Sequence, residues 1–184
     1  QEFDRNNLSR WVKKGLLIRL RQGWFTFPEY KGKADYAFYF ANRIYRPSYI
    51  SLHSALSFYG MIPETIIQLT SVTTKKTARY ENAIGVFTYQ TITPRLFFGY
   101  QPLSITNSYN DGRIYTIATP EKALLDLLYL HPEYQTEDDF VQLRLDEDFM
   151  LYELNQARLN EYLQRWNSPQ LNKRVKLLLK AYNI

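Results

Sequence analysis

The side chains near the start of the chain are of types that contact nucleic acid. Asn6, Asn7 and Arg10 can pair with adenine and guanine edges in the major groove of DNA. Lys13 and Lys14 follow them, and lysines at such a position reach phosphates or complement the negative end of a helix. The first group would therefore select a base sequence, and the second would supply affinity for the backbone.

The formal charge of the chain is concentrated in the same segment. Residues 1–33 hold eight Lys and Arg against three Asp and Glu, so they carry the whole net charge of +5. Over residues 34–184 the two signs cancel. This asymmetry indicates a polyanionic partner for one end of the chain.

The local pattern predicts a helix that positions these residues. Asp4 is a suitable N-cap, and Gly15 is a suitable residue just after the helix C-terminus. Leu8, Trp11 and Val12 are spaced i, i+3, i+4 and form an apolar stripe that should face inward. The Asn, Arg and Lys side chains would then lie on the other, exposed faces.

A basic hairpin is predicted directly after this helix. Leu16 to Phe27 has the pattern of two short strands around Gln22-Gly23, with Arg19 and Arg21 alternating with apolar residues. A basic helix and hairpin form the recognition helix and wing of a winged helix, whose wing arginines would contact the DNA backbone or minor groove. The unit 1–33 is predicted to be partial, because a winged helix has one or two earlier helices. Either those helices are missing from this sequence, or the unit is a degenerate remnant.

Composition excludes several classes of site. The chain has no cysteine, which removes disulfides, thiolate nucleophiles and cysteine-based zinc sites and fits a reducing cytoplasm. Hydrophobic residues make up 45% of the chain, enough for a real core, while no run approaches the ~18 apolar residues of a membrane span. We therefore expect a cytoplasmic protein that needs no cofactor, metal or membrane.

Residues 34–184 are predicted to form a second domain, which makes the fold class α+β. Helices are expected over Ala34 to Tyr45 and from the Ser51 cap to Gly60. Between about Ile66 and Ile117, β-branched runs and the Asp111-Gly112 turn signal predict a mostly antiparallel sheet of about four or five strands.

The C-terminal part is predicted to be helical. Thr119 and Pro120 mark a clear helix start, with Ala123, Leu124, Leu127 and Leu128 as the core stripe. A short helix should follow around Asp138 to Leu143, and closing helices over Leu151 to Trp166 and Pro169 to Tyr182.

Several further residues have a functional interpretation that is weaker than a structural one. His53 is expected to be a hydrogen-bonded structural histidine, because no second histidine or carboxylate pair supports metal or acid–base work. The acidic stretch from Pro132 to Asp148 is expected to be solvated surface; the alternative is a docking site for a basic partner, or for the chain's own basic end in the absence of DNA. Two further basic groups are expected to be ordinary surface charge: Lys75, Lys76 and Arg79, and Lys173, Lys176 and Lys180. The alternative for the second of these groups is a further DNA contact.

A nuclease is the enzymatic alternative. Its metal ligands would be Asp111, Glu121 and Asp126, with Lys122 beside them. Glu121 and Asp126 are five positions apart on the predicted helix, so they are not neighbours on one face. The sequence therefore favours a protein without catalytic residues.

Three motifs resemble those of a known family. Leu16-Leu-Ile-Arg-Leu-Arg-Gln-Gly-Trp-Phe25 resembles the wing of AbiEi-type proteins. Tyr49-Ile-Ser-Leu-His-Ser-Ala-Leu-Ser-Phe-Tyr-Gly60 is similar to their serine-rich helix, and Ala118-Thr-Pro-Glu-Lys-Ala-Leu-Leu-Asp-Leu-Leu128 to their "PEKALLDLL" helix. The order and spacing also match, over residues from about 4 to 130.

The resemblance implies a transcriptional autorepressor and antitoxin of a bacterial type IV toxin–antitoxin system, a class associated with phage defence. Its winged helix would bind inverted repeats in its own promoter, and the following α/β domain would carry the antitoxin activity. The functional partner would be a nucleotidyltransferase-like toxin encoded next door, which the antitoxin need not bind stably. An alternative is a protein-interaction antitoxin module whose winged helix is vestigial.

Overall fold

Helices and strands alternate along most of the chain. The computed structural model describes residues 5–63, 67–105 and 112–184, and of Arg5 and Asn6 the backbone alone. In chain order the elements are α1 (Arg5–Lys13), β1 (Ile18–Arg21), β2 (Trp24–Thr26), α2 (Ala34–Ile44), β3 (Ser48–Ile50), α3 (Leu52–Phe58), β4 (Gln68–Thr73), β5 (Ala78–Glu81), β6 (Val86–Thr91), β7 (Tyr100–Ser104), β8 (Ile114–Ala118), α4 (Pro120–Leu130), α5 (Glu137–Gln142), α6 (Gln156–Trp166) and α7 (Pro169–Ala181).

Six strands form one mixed sheet in the order β5-β6-β4-β3-β8-β7. Three of its five pairings are antiparallel, and β3–β8 and β4–β6 are parallel. The hairpin of β1 and β2 is a separate two-stranded sheet. The predicted α+β class and mostly antiparallel sheet are therefore confirmed.

Two strands of this sheet were not predicted. Residues 48–50 lie in a stretch interpreted as the approach to a helix, and this short strand is fully buried at the sheet centre. Residues 78–81 follow a Lys-Lys pair interpreted as a charged loop, yet they pair with β6 as an edge strand. Lysines beside an edge strand oppose unwanted pairing, so charge there does not indicate a loop.

Most of helix α4 is buried. Its start agrees with the prediction, because the Thr119 side chain accepts a hydrogen bond from the Lys122 amide and Pro120 occupies the first turn. The predicted core stripe is confirmed, since all four of its members are inaccessible to solvent. The opposite face is also buried, because α3, α6, α7 and β8 surround the helix. As a result, charged residues of α4 lie in the protein interior.

The C-terminal helices follow the prediction with shifted starts. Thr136 and Asp139 form a capping box at the start of α5. A single wide helical turn at Phe149–Glu153 precedes α6, so α6 itself begins at Gln156 rather than near Leu151. In the described ranges, no helix has both the length and the apolarity that crossing a membrane would take.

Candidate nucleic-acid interface

Helix α1 ends in the way its sequence predicts. Gly15 has φ +72°, and its amide donates to the Val12 carbonyl at 3.0 Å. The Leu16 amide donates to the Trp11 carbonyl at 2.9 Å, which completes the two hydrogen bonds of a Schellman ending. The chain therefore turns sharply from α1 into the hairpin. The proposed Asp4 cap lies outside the described residues.

Three cationic side chains at and just after the C-terminal end of α1 are exposed. Arg10, Lys13 and Lys14 all lie on the surface, and Arg10 donates to the Asn7 side-chain oxygen at 2.6 Å. This bond joins two of the side chains expected to contact bases, and it orients the guanidinium without neutralising it. The side chain of Asn6 lies outside the described part of the chain.

The apolar stripe of α1 is incompletely covered. Leu8, Trp11 and Val12 are each half-buried, and no side chain described in α1 is fully buried. An amphipathic helix normally covers such a stripe against the core. The stripe thus keeps apolar surface that another element or another protein could cover.

The hairpin carries a β-bulge that breaks the alternation expected of β1. Arg19 pairs with Phe25, whereas Arg21 pairs with Trp24, so Leu20 is an extra residue between the two pairs. Leu20 is buried in the main core and Arg19 is exposed. The bulge changes the direction of the next side chain, Arg21.

Arg21 faces the rest of the protein, which corrects the predicted alternation. Its guanidinium donates to the Ile44 carbonyl at the end of α2. It also lies over the rings of Tyr45 and Tyr80, at 5.5 and 4.9 Å from their centroids. Arg21 was grouped with Arg19 as a wing residue, but its contacts hold the hairpin in place.

A second bond attaches the hairpin to the sheet. The Asn82 side-chain amide donates to the Leu20 carbonyl at 2.9 Å. Together with the burial of Leu20 and the contacts of Arg21 with Ile44, Tyr45 and Tyr80, this bond attaches the hairpin to residues 34–184. The boundary at residue 33 therefore separates two segments that contact each other.

The two longer motifs meet in a buried polar network. The Lys122 ammonium donates to an Asp126 carboxylate oxygen and, at 2.7 Å, to the Tyr49 hydroxyl. The other carboxylate oxygen accepts hydrogen bonds from Tyr49 at 2.9 Å and from Ser51 at 2.8 Å. We call these four residues the Lys–Asp network. It joins the Tyr49-to-Gly60 motif to the Ala118-to-Leu128 motif.

Aromatic rings enclose the ammonium of this network. Lys122 Nζ lies 4.3 Å from the ring centroid of Trp166 and 5.3 Å from that of Phe98. Burial lowers the pKa of Lys122 and raises the pKa of Asp126, while the attraction between the two groups opposes both shifts. An ammonium and a carboxylate without solvent access stabilise each other, and this arrangement favours a structural role.

The nuclease hypothesis gains no support from these positions. Glu121, almost fully buried, accepts hydrogen bonds from the Asn155 amide at 3.0 Å and from Arg158 at 3.4 Å, so it anchors the start of α6. Asp126 is held in the Lys–Asp network, in different contacts. Across residues 5–63, 67–105 and 112–184, no three His, Asp or Glu side chains are grouped for a metal ion. Asp111 lies outside the described residues.

The two histidines of the chain are neighbours, which the sequence did not indicate. The ring centroids of His53 and His131 are 6.1 Å apart. His131 contacts Glu133 at 2.8 Å through Nδ1 and the Gln90 amide at 3.1 Å through Nε2. The fold thus places a second histidine beside His53, which was not expected from the sequence, while the prediction of a structural role for His53 stays a prediction.

The remaining charged groups occupy the surface. Lys180 of α7 pairs with Glu137 of α5, and Arg79 pairs with Glu81 at 2.9 Å. Lys173, Lys176, Lys75 and Lys76 are exposed. One cation from each minor basic group thus has a carboxylate partner within the protein.

Comparison with models of known protein families gives no match, and no curated protein is significantly similar to the chain. The function must therefore be inferred from the residues themselves and from the three motifs.

Proposed function

We propose that this protein is a DNA-binding autorepressor and antitoxin of the AbiEi type, without catalytic chemistry of its own. The supporting observation is the exposure of four cations on α1 and the hairpin: Arg10, Lys13, Lys14 and Arg19. They belong to the segment that carries the net charge of the chain. An exposed basic helix followed by an anchored basic hairpin is suited to double-stranded DNA.

The roles within this unit differ by residue. Arg10, with Asn7 and Asn6 beside it, would contact base edges, while Lys13, Lys14 and Arg19 would contact phosphates. Arg21 would act indirectly, because its bond to Ile44 fixes the hairpin that carries Arg19. The DNA would be the protein's own promoter, read at inverted repeats.

The test is fluorescence anisotropy with a labelled duplex from the region upstream of the gene. Three phosphate-contacting cations predict that affinity falls roughly fortyfold between 50 and 200 mM salt. The variant Lys13→Ala/Lys14→Ala should weaken binding to operator and scrambled duplexes alike and reduce the salt slope by about two. Asn7→Ala or Arg10→Ala should instead reduce the preference for the operator.

Lys176→Ala is the matched control, because it removes an equally exposed cation from α7. Its affinity for the duplex should equal that of the unmodified protein. Binding without salt dependence, or an equal loss in the control and in Lys13→Ala/Lys14→Ala, would contradict the assignment of the interface.

A second candidate is a protein-interaction antitoxin module in which the helix and hairpin no longer bind DNA. The half-buried stripe of Leu8, Trp11 and Val12 favours it, because that surface can accept a protein partner. Co-expression with the adjacent nucleotidyltransferase-like toxin distinguishes the two. The second candidate would be favoured if the protein does not bind the upstream duplex but does rescue growth and co-purify with the toxin. Leu8→Ser should then abolish both the rescue and the co-purification.

A further inference from the structure

A cavity lined by both cationic and aromatic residues lies on the sheet-bearing part of the protein. It has a volume of about 550 Å³ and is lined by the C-terminal end of α2, by residues of β3, β7 and β8, and by the segments after β4 and before β7. Its charged lining residues are Arg43, Arg46 and Lys75. No Asp or Glu among the described residues lines it, so the cavity is suited to an anion.

The three cations are positioned but not neutralised. Arg46 donates through Nε to the Asn42 carbonyl at 3.2 Å. The Arg43 guanidinium lies 4.8 Å from the Tyr39 ring centroid, and Lys75 Nζ lies 5.6 Å from that of Tyr45. Within the described ranges none of the three forms an ion pair. Their remaining N–H groups can therefore donate to a ligand.

The negative end of α2 does not cancel this positive charge. Three carbonyls near its C-terminus accept hydrogen bonds from side chains: Ala41 from the Tyr89 hydroxyl, Asn42 from Arg46 and Ile44 from Arg21. Two of those donors are guanidinium groups. They offset the partial negative charge that a helix end would otherwise present to an anion.

An aromatic platform also lines the cavity. Tyr100, 39% exposed, stacks on the buried ring of Tyr49 with centroids 4.8 Å apart and planes at 19°. Phe97 supports both rings, at 4.9 and 5.2 Å from their centroids. Because the Lys–Asp network fixes Tyr49, Tyr100 has a rigid backing. A planar base can stack on such a ring.

One buried hydroxyl in the cavity lining has no partner. Ser48 is 8% exposed, and its Oγ makes no hydrogen bond in the described structure. Ser48 is also among the lining residues. Buried hydroxyl groups are nearly always satisfied, so an unsatisfied one in a cavity lining is consistent with a polar ligand.

We propose that this cavity binds a free nucleotide, with its phosphates on Arg43, Arg46 and Lys75 and its base on Tyr100. The cavity has the size of small-molecule sites, which span about 300 to 1,000 Å³. A single-stranded nucleic acid offers the same chemistry, but it is bound by successive rings along a basic groove. One platform beside one group of cations fits a single nucleotide. The inference does not depend on DNA binding by α1 and the hairpin.

The test is isothermal titration of the complete chain with ATP, GTP, CTP and UTP. Two reference ligands separate the parts of a nucleotide: adenosine supplies the nucleoside without phosphates, and inorganic tripolyphosphate supplies the phosphates without a nucleoside. We expect at least one nucleotide to bind about tenfold more tightly than either fragment, because stacking and phosphate contacts then act together. Titration with a 5′-phosphorylated oligothymidine tests whether the cavity binds single-stranded nucleic acid, which also offers phosphates and bases, rather than a free nucleotide.

Substitutions assign the two halves of the site. Tyr100→Leu should weaken nucleotide binding about tenfold and leave tripolyphosphate binding unchanged, whereas Tyr100→Phe should bind like the unmodified protein. Lys75→Ala should weaken both ligands about tenfold. Lys76→Ala is the matched control, because Lys76 is the adjacent exposed lysine and does not line the cavity.

Three results would overturn the inference. They are equal affinity for tripolyphosphate and for every nucleotide, binding of the oligonucleotide but of no free nucleotide, and an equal loss in Lys76→Ala and Lys75→Ala. Circular dichroism and thermal melting establish that each variant is folded. Lys13→Ala/Lys14→Ala should keep full nucleotide affinity, so a failure of this site is distinct from a failure of DNA binding.

Discussion

The N-terminal unit and helix α4 of the sheet-bearing body place their charged residues in opposite ways. In residues 5–33 the cations Arg10, Lys13, Lys14 and Arg19 lie outside, and the apolar stripe of α1 is half covered. In the body, Lys122 and Asp126 are completely buried and enclosed by aromatic rings. The net charge lies in the first region, and a fully buried ion pair lies in the second.

The two regions therefore use charged residues for different purposes, one for binding a ligand and the other for folding. An exposed cation contributes little to folding stability, because water already solvates it, and so it remains available to a ligand. A buried ion pair replaces water with fixed partners, and removing one partner leaves the other without solvation. The motif residues of α4 are therefore assigned to folding, and the residues of α1 to binding. Arg21 is the exception, since it lies in the basic unit and bonds to the body.

The largest expected effect comes from breaking the buried pair. Lys122→Met should lower the free energy of unfolding by about 4 kcal/mol, because Asp126 loses its cation in a site without water. Urea unfolding followed by circular dichroism measures the change. Lys13→Met, at an exposed position, should change stability by less than about 0.5 kcal/mol.

The double variant Lys122→Met/Asp126→Leu makes this test specific. Removing both charges leaves no unpaired ion, so much of the stability should return. A single variant as stable as the unmodified protein, or a double variant no better than the single one, would contradict the assignment of charge in the body to folding.

A smaller loss of stability is expected when alanine replaces either of two glycines that share a positive φ but differ in how closely other atoms surround them. Gly99 has φ +72°, and an added Cβ would lie 3.0 Å from a Tyr162 ring carbon and 3.1 Å from the Lys122 stem. Gly23 of the hairpin has φ +80° and open space around that position. Gly99→Ala should therefore cost about 3 kcal/mol through strain and overpacking, and Gly23→Ala about 1 kcal/mol through strain alone. Equal costs in urea unfolding would show that the packing around Lys122 adjusts freely.

Substitutions of Arg21 and Arg19 test which of the two arginines attaches the hairpin to the sheet-bearing body. Arg21→Ala removes the hydrogen bond to Ile44 and the contacts with two tyrosine rings, and should cost about 1 to 2 kcal/mol. Hydrogen exchange of the β1 and β2 amides should become faster than that of the main sheet. Arg19→Ala should leave exchange unchanged and affect only DNA affinity. Faster hairpin exchange in Arg19→Ala than in Arg21→Ala would reverse the assigned roles.

Local patterns were sufficient to predict most elements of the fold. The Gly15 ending, the Gln22-Gly23 turn and the Thr119 cap are decided by neighbouring residues, and each is present in the structure. The three-residue β3 was missed because its pairing depends on β4 and β8, which come later in the chain.

The site was less predictable because it depends on contacts between distant residues. The sequence indicated that Arg10 and Arg19 are suited to DNA, but it could not indicate that a bulge turns Arg21 inward. Asp126 was considered as a metal ligand with Asp111 and Glu121, and Lys122 as a residue beside them. The hydrogen-bond partners of Asp126, Tyr49 and Ser51, lie more than 70 positions earlier in the sequence, so only the fold reveals the network.

The smallest expected effect concerns Asp139, an exposed charge of the body. Its carboxylate accepts hydrogen bonds from the amides of Gln135 and Thr136 at 2.9 and 2.8 Å, and these bonds lower its pKa. A carboxylate whose pKa is lower in the folded state adds stability above its unfolded pKa of about 3.9, and this stability is lost as the pH falls through the folded value. The stability difference between the unmodified protein and Asp139→Ala should therefore be largest near neutral pH and decrease below about pH 4. Asp138→Ala, at the adjacent position of α5, is the control and should show a smaller difference. A difference for Asp139→Ala that persists unchanged in acid would show that charge at the start of α5 contributes nothing beyond helix propensity.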